Sequence, residues 1–160
     1  MNNNEDRYHN LFENSPIAML EEDFSELKAE LDKLRTNGVT DFHGFINDHP
    51  EFLGRAVQLV QILDANQAMI RLYEAREKSE VVGNLEKFMP PENFKEELVA
   101  YAEGRGYFER EVAGQTLQGE RLDLLLTVKY YTDAAGHHKA LVHMTDITVR
   151  KRAEDRKSVV

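Results

Sequence analysis

The spacing of hydrophobic residues divides the chain into short helices and strands. Tyr8, Leu11 and Phe12 fall at positions i, i+3 and i+4, which predicts an amphipathic flanking helix within residues 1–15. An apolar run over residues 16–20 suits a strand, and the three acidic residues after it are interpreted as a turn. The first two elements are therefore expected to be a helix and a strand.

Residues 25–58 follow a helical period. Leucines recur at i, i+4 and i+7 from Leu27, with Ser25 as the candidate N-cap and Asn37-Gly38 as the stop. Two shorter helices follow and separate at His49-Pro50, because the residue before a proline avoids the α conformation. The pattern predicts three consecutive helices.

In the rest of the chain, segments with a helical period alternate with segments that have the period of two typical of strands. A strand ends near residues 64–66, where Asp64 or Asn66 can cap the next helix. A further helix is predicted over residues 92–103. The period then becomes two, with strands predicted at Tyr107–Gln115, Arg121–Thr132 and Lys139–Thr148. This order predicts an α+β fold with an antiparallel sheet and its helices gathered on one face.

Composition narrows the chemistry. The 160 residues contain no cysteine, which excludes disulfides, thiolate metal sites and a cysteine nucleophile. Acidic residues outnumber basic ones by 29 to 20, so phosphate backbones are repelled and nucleic acid is not expected as a partner. No apolar run approaches the ~18 residues of a membrane span. We therefore expect a cytoplasmic protein without membrane insertion.

Several segments, in the right order, resemble PAS sensor domains. They are Leu-Phe-Glu-Asn-Ser-Pro-Ile-Ala at 11–18, Leu-Asp-Ala-Asn-Gln-Ala-Met at 63–69, Glu-Val-Val-Gly at 80–83 and Thr-Asp-Ile-Thr at 145–148, followed by a charged helix-permissive stretch. The resemblance implies a five-stranded PAS-like domain over residues 16–148. Residues 149–160 would begin a signalling linker helix. Residues 25–58 depart from the family as a helical insertion whose role the sequence leaves open.

The resemblance also implies a sensory role in signal transduction. Such modules belong to prokaryotic signalling proteins, for example sensor histidine kinases of two-component systems or cyclic-dinucleotide enzymes, with the output domain outside this segment. It implies a homodimer, for which the apolar stripe Tyr8, Leu11 and Phe12 is the candidate interface, packed on the outer sheet face or on a partner's sheet. It further implies relay through Asp146, Ile147 and Thr148. Asp146 either pairs with a basic residue, Arg121 or Arg150, or caps the exit helix.

A ligand pocket is expected between the helices and the inner sheet face. Each candidate could instead fill a closed core, and His143 could instead be a structural histidine. The candidate ligand-binding residues are Met69, Leu72, Tyr73, Phe88, Phe94, Leu98, Tyr101, Phe108, Thr127 and His143.

The cofactor is left open within limits. Chromophores linked to cysteine are excluded because the chain has no cysteine. Haem with a proximal histidine is disfavoured because residues 92–103 contain no histidine. Non-covalent flavin is disfavoured by the lack of tryptophan and of an isoalloxazine motif. No metal site is expected.

Two alternatives stay open beside a ligand sensor. The first is a PAS fold used only for dimerisation or protein interaction. The second is a small α+β enzyme using His143 with Asp123, but the sequence has no glycine-rich phosphate loop, His-Glu-x-x-His run or nucleophile elbow. We therefore expect no enzymatic activity within this chain.

Overall fold

A six-stranded antiparallel sheet organises the computed structural model, which describes residues 3–158. The spatial order is β3-β2-β1-β6-β5-β4. The strands are β1 Ala18–Asp23, β2 Gln61–Ala65, β3 Gly83–Asn84, β4 Tyr107–Gln115, β5 Arg121–Thr132 and β6 His138–Asp146. The expected α+β class and its five strands are confirmed, and the two-residue β3 adds a sixth strand that pairs with the start of β2.

Seven α-helices accompany the sheet in the described part of the chain. They are α1 Asn3–Asn14, α2 Ser25–Thr36, α3 Phe42–Asp48, α4 Glu51–Gln58, α5 Gln67–Leu72, α6 Lys95–Ala102 and α7 Thr148–Ser158. Short 3-10 turns lie at Lys78–Glu80, Leu85–Lys87 and Pro91–Phe94. The flanking helix and the inserted helices α2–α4, called the insertion below, are present as predicted. None of the helices within residues 3–158 has the length and apolar character needed to cross a membrane.

Strand alternation gives the sheet two different faces. On β5 the alternate residues Leu122, Leu124, Leu126 and Val128 are buried, and they form the inner face beneath the helices. The outer face is partly exposed and carries α1, whose Tyr8 lies beside polar and aromatic side chains of β1, β5 and β6. The inner face therefore holds the core.

The start of the chain corrects two predictions. The acidic residues 21–23 belong to β1 rather than to a turn, and alternation places Glu22 on the inner face opposite Ala140. Ser25 does not cap α2. Its hydroxyl instead accepts a hydrogen bond from the backbone N–H of His138 at 3.0 Å. Both errors arise because β6, the strand that pairs with β1, lies far from it in the sequence.

The insertion contributes directly to the core. The ring of Phe24, which precedes α2, lies 4.8 Å from that of Tyr101 and 5.3 Å from that of Tyr130. Leu27 and Leu31 of α2 are fully buried. Burying such side chains stabilises a fold by roughly 1.5–3 kcal/mol each, so the insertion is an integral layer over the sheet.

Candidate functional site

An enclosed apolar cavity of about 50 Å³ lies between β4, β5 and the segment 81–93. Aliphatic and aromatic side chains form most of its wall, and Asn93 and the Tyr73 hydroxyl bring polar atoms. Its lining includes Leu20, Ile62, Tyr73, Val81, Leu85, Phe88, Met89, Asn93, Val112, Gly114, Leu124, Leu126 and Met144. We call it the apolar cavity.

A surface cleft of about 630 Å³ adjoins the apolar cavity. Both are lined by Tyr73, Phe88, Met89 and Asn93, and the cleft continues outwards to charged residues such as Lys87. The shared side chains therefore stand between the cavity and solvent. Movement of Phe88 or Met89 would open one space into the other.

Tyr73 is the central polar group of the apolar cavity. Its hydroxyl donates to Met144 Sδ at 3.4 Å, and its ring packs on Phe88 with 5.3 Å between centroids. Burial, followed by the nearby Glu22 charge, raises the Tyr73 pKa to about 12. The phenol therefore stays neutral and offers a hydrogen-bond donor at the cavity wall.

Of the ten ligand-binding candidates, only Tyr73 and Phe88 line the apolar cavity. The side chains of Met69, Phe94 and Leu98 are fully buried elsewhere in the core. The other helical candidates, Leu72 and Tyr101, are partly buried against that core.

The remaining three candidates lie away from these groups. Phe108 lines a separate surface cleft with His43 and Lys95. Thr127 and His143 pair with each other across β5 and β6 on the outer face, because their neighbours along each strand point inward. The expectation that His143 points inward is therefore wrong. Its separation from Asp123 by several pairing positions also removes the proposed catalytic pair.

Apart from Tyr73 and Phe88, the residues of the cavity wall were not among the candidates; they include Met89, Asn93, Val112 and Gly114. Val112 and Gly114 alternate on β4 and pair with Leu124 and Leu122, so the strand period contained the signal. No pattern identified Met89 or Asn93, because Met89 lies in irregular backbone between two 3-10 turns and Asn93 lies within the second of them, Pro91–Phe94.

A second buried group lies under the insertion. Glu22 of β1 and Glu97 of α6 are only 3% and 4% exposed, and the Tyr130 hydroxyl donates to Glu97 Oε2 at 2.9 Å. Burial raises the pKa of Glu97 to about 7, although the Tyr130 hydrogen bond opposes the rise. Burial and the Glu97 charge also raise the pKa of Glu22 well above its usual range. We call Glu22 and Glu97 the acid pair.

The exit of the chain into α7 is fixed by hydrogen bonds. Asp146 Oδ1 accepts from the Thr148 N–H at 2.9 Å and from its hydroxyl at 2.5 Å, so Asp146 caps the helix. The Ile147 N–H donates to the Asp123 carbonyl at 2.8 Å, and the Asp123 N–H donates to Thr148 Oγ1 at 3.1 Å. We call residues 146–148 the junction.

The alternative in which Asp146 forms an ion pair is not observed. Arg150, one of its two expected partners, reaches Glu111 of β4 at 2.5 Å, and Lys151 reaches the same carboxylate at 2.6 Å. The other, Arg121, pairs with Asp123 at 3.3 Å. The two contacts of Glu111 attach the first turn of α7 to β4.

The flanking helix is tied to the core through Asn66. Its Nδ2 donates to the carbonyls of Phe12 and Ile17, and its Oδ1 accepts from the N–H groups of Met19 and Met69. Phe12 is buried within the chain, whereas the side chains of Tyr8 and Leu11 are half exposed or more. Only part of the expected interface stripe is therefore free to meet another molecule.

Solved structures of PAS domains share the fold of this chain. The PAS domain of a protein from Colwellia psychrerythraea superposes with a TM-score of 0.59 at 14% identity, covering 91% of this chain and 98% of that one. The PAS domain of a two-component sensor histidine kinase gives 0.58 at 11% identity, covering 89% and 96%.

A third similar structure is a PAS domain in complex with ethanol, from a LuxR-family transcriptional regulator of Burkholderia thailandensis. It gives a TM-score of 0.55 at 12% identity and covers 88% of this chain and 97% of that one. No protein-family model matches the sequence, and no curated protein is similar to it at the level of sequence. The likeness is thus one of fold, and it confirms the fold that the sequence motifs implied.

Proposed function

We propose that this chain is a sensory or regulatory module that binds a small organic ligand in the apolar cavity and passes its state through α7 to an output domain. The observation that carries the proposal is the continuity of β4 and β5 from the cavity wall to the junction. Val112 and Leu124 line the cavity, and their sequence neighbours Glu111 and Asp123 hold α7 and the junction.

This arrangement gives a physical route for relay. A ligand that displaces Val112 or Leu124 shifts the same strands that carry Glu111 and Asp123. Those residues hold α7 by two ion pairs and two backbone hydrogen bonds, so the balance between docked and released α7 changes with the cavity. A ligand shifts this balance only by its difference in affinity for the two states.

The size of the cavity limits the ligand. Since a cavity needs about 10–15 Å³ of such space to hold one water molecule, 50 Å³ accommodates only a few non-hydrogen atoms. An isoalloxazine ring system does not fit. The chemistry of the wall favours a short aliphatic body with one polar group that can accept from Tyr73 or bond to Asn93.

Two structural neighbours support a small organic ligand and a place in a signalling protein. One structural neighbour is a PAS domain in complex with ethanol and another belongs to a sensor histidine kinase. By analogy, the output domain of this chain would be a kinase or another signalling domain outside residues 1–160. The module itself would act in the cytoplasm, as a homodimer and without catalysis of its own.

Binding is testable with the methionine methyl groups. Met89 and Met144 line the apolar cavity, whereas Met19 lies on the outer sheet face and serves as an internal control. Titration with ethanol and 1-butanol, followed by methyl NMR of ¹³C-methionine-labelled protein, should shift Met89 and Met144 and leave Met19 in place. Ligands of three to five non-hydrogen atoms are expected to bind with millimolar dissociation constants.

A cavity-filling variant provides the control for site specificity. A Cβ at Gly114 would meet Leu124 Cδ1 at 3.5 Å, which is an ordinary contact, so Gly114→Ala should retain most of the cavity. The larger Gly114→Val side chain should occupy it and abolish the methyl shifts. Equal shifts in wild type and Gly114→Val, or shifts of Met19 alone, would show that the alcohols bind elsewhere.

A second function is favoured by one observation. Phe24, Phe94 and Leu98 fill much of the inner face completely, which leaves a cavity smaller than most ligand pockets. A ligand-free interaction module would have this closed core. It would show no co-purifying mass in native mass spectrometry and no methyl shift with either alcohol.

A further inference from the structure

Buried charged groups are usually paired with an opposite charge, and the acid pair is not. Within residues 3–158, neither Glu22 nor Glu97 forms an ion pair with lysine, arginine or histidine. The hydrogen bond from Tyr130 is the only one that these two carboxyl groups receive from the described side chains. Two buried carboxylates without a cation would repel each other in a medium of low dielectric constant.

The strand register and α6 together bring the two carboxyl groups into the same buried region. Glu22 pairs with Ala140, and Ala140 pairs with Tyr130, so the side chains of Glu22 and Tyr130 flank the small Ala140 on the inner face. Glu97 descends from α6 onto the Tyr130 hydroxyl. The pair is thereby placed between the sheet and the overlying helices.

Phe24, which leads from β1 into the insertion, closes this site from above. Phe24 is fully buried and packs on Tyr130, Phe94 and Tyr101, which separates the acid pair from solvent on that side. Hydration of an ionised pair would require water to pass this aromatic layer. The packing of Phe24, and with it the start of α2, is therefore linked to the charge of the pair.

We propose that Glu22 and Glu97 form a buried proton-binding site, and that losing its proton loosens the insertion from the sheet. This response to pH goes beyond the proposed ligand sensing and does not depend on it. While one of the two carboxyls is protonated, the pair packs without charge repulsion between them. The ionised pair needs water, which only an opened insertion admits.

The groups facing the pair are aromatic rather than basic. Tyr130 of β5, Tyr101 of α6 and Tyr73 at the end of α5 present phenols to it or beside it, and burial raises the pKa of all three. At the rim, Asp32 and Arg35 of α2 and Asp23 of β1 act on Tyr101. These rim charges partly offset one another, so none replaces the missing cation.

The folded protein favours the neutral form of the acid pair, and this sets the direction in which its stability changes with pH. Stability from the pair is fully present below about pH 4.5, where the carboxyls are protonated in both states. It is lost as the pH rises through the folded pKa of Glu97, which is about 7. Opening of the insertion should therefore increase from pH 5 to pH 8.

The test combines two measurements on the intact chain. Side-chain carboxyl NMR of ¹³C-glutamate-labelled protein should show two glutamates titrating well above the others. Hydrogen exchange, corrected for intrinsic rates, should rise at least about tenfold in α2 and α6 between pH 5 and pH 8, since one pKa unit corresponds to a factor of ten. Exchange in β6 should rise less.

Matched variants separate the acid pair from general charge effects. Glu97→Gln should remove the pH dependence in α2, while Glu96→Gln, at the exposed neighbouring position of α6, should retain it. Glu22→Gln provides the second variant if Glu97→Gln does not fold. The proposal is overturned if every glutamate of the wild-type protein titrates between about pH 4 and 5, or if exchange in α2 stays as pH-dependent in Glu97→Gln or Glu22→Gln as in the wild type.

Discussion

Replacement of Asn66 by alanine should destabilise the protein far more than loss of an ordinary helix cap. The side chain is fully buried and makes four hydrogen bonds to backbone groups. Its Oδ1 accepts from Met19 and Met69 at 3.0 Å each, and its Nδ2 donates to Phe12 at 3.0 Å and Ile17 at 2.8 Å. One amide thus joins α1, β1 and α5.

The magnitude follows from the number of bonds. The contact with Met69 is an N-cap, whose loss costs about 1 kcal/mol. The other three bonds contribute about 1 kcal/mol each, and their backbone partners would be left partly buried without water. Asn66→Ala should therefore lower the free energy of unfolding by about 4 kcal/mol, a large fraction of the 5–15 kcal/mol typical of a domain.

Urea unfolding followed by circular dichroism measures this loss. Asp41→Ala is the matched control, because Asp41 caps α3 through a single bond to the Gly44 N–H on the surface. It should cost about 1 kcal/mol. Asn66→Ser, which can keep the capping bond to Met69, should lie between the two. If Asn66→Ala costs no more than Asp41→Ala, the amide does not join the three elements as described.

Three further outcomes are expected. Leu11→Asp, which places a charge on the exposed flank of α1, should shift the proposed dimer to monomer in analytical ultracentrifugation without lowering the unfolding midpoint. Asp146→Ala should speed amide exchange in α7 about fivefold, equivalent to the loss of about 1 kcal/mol of capping, and leave exchange in β5 unchanged. Raising the pH from 4.5 to 8 should lower the free energy of unfolding by up to about 3 kcal/mol through Glu97, and Glu97→Gln should flatten that profile in urea titrations at each pH.

The meander of β4, β5 and β6 could be predicted closely from sequence. Tyr107–Gln115 and Arg121–Thr132 were predicted with the bounds observed, because the period of two is regular and a glycine with positive φ, Gly119, turns the chain between them. The helices of the insertion were predicted for a similar reason, since their apolar stripes are regular and His49-Pro50 separates α3 from α4.

β1 shows where local pattern fails. Residues 21–23 are all acidic, and such a run is typical of turns, yet pairing with β6 holds them in a strand. Pairing also gives Glu22 a buried position that propensity does not predict. Ser25 was predicted to cap α2 from local pattern in the same way. Its hydroxyl instead accepts a hydrogen bond from the N–H of His138, more than a hundred positions away in the sequence.

The candidate site could be predicted only in part, although the sequence contains further signal for it. Val142 and Met144 are apolar neighbours of His143, so a period of two already places His143 on the opposite face. Glu97 lies three residues after Phe94 and four before Tyr101, on the buried stripe of α6. The cavity residues Met89 and Asn93 lacked any such signal, because Met89 lies in irregular backbone and Asn93 lies in a 3-10 turn too short to show a period.

The most direct test of the relay asks whether the junction responds to the cavity. Amide shifts of ¹⁵N-labelled protein at residues 146–151 are recorded with 1-butanol from zero to saturation, as judged by the Met89 and Met144 methyl groups. The account predicts that these amides shift along the same binding curve in wild type and Gly114→Ala, and that they stay still in Gly114→Val. Saturation of the methyl shifts with no change at the junction would contradict it.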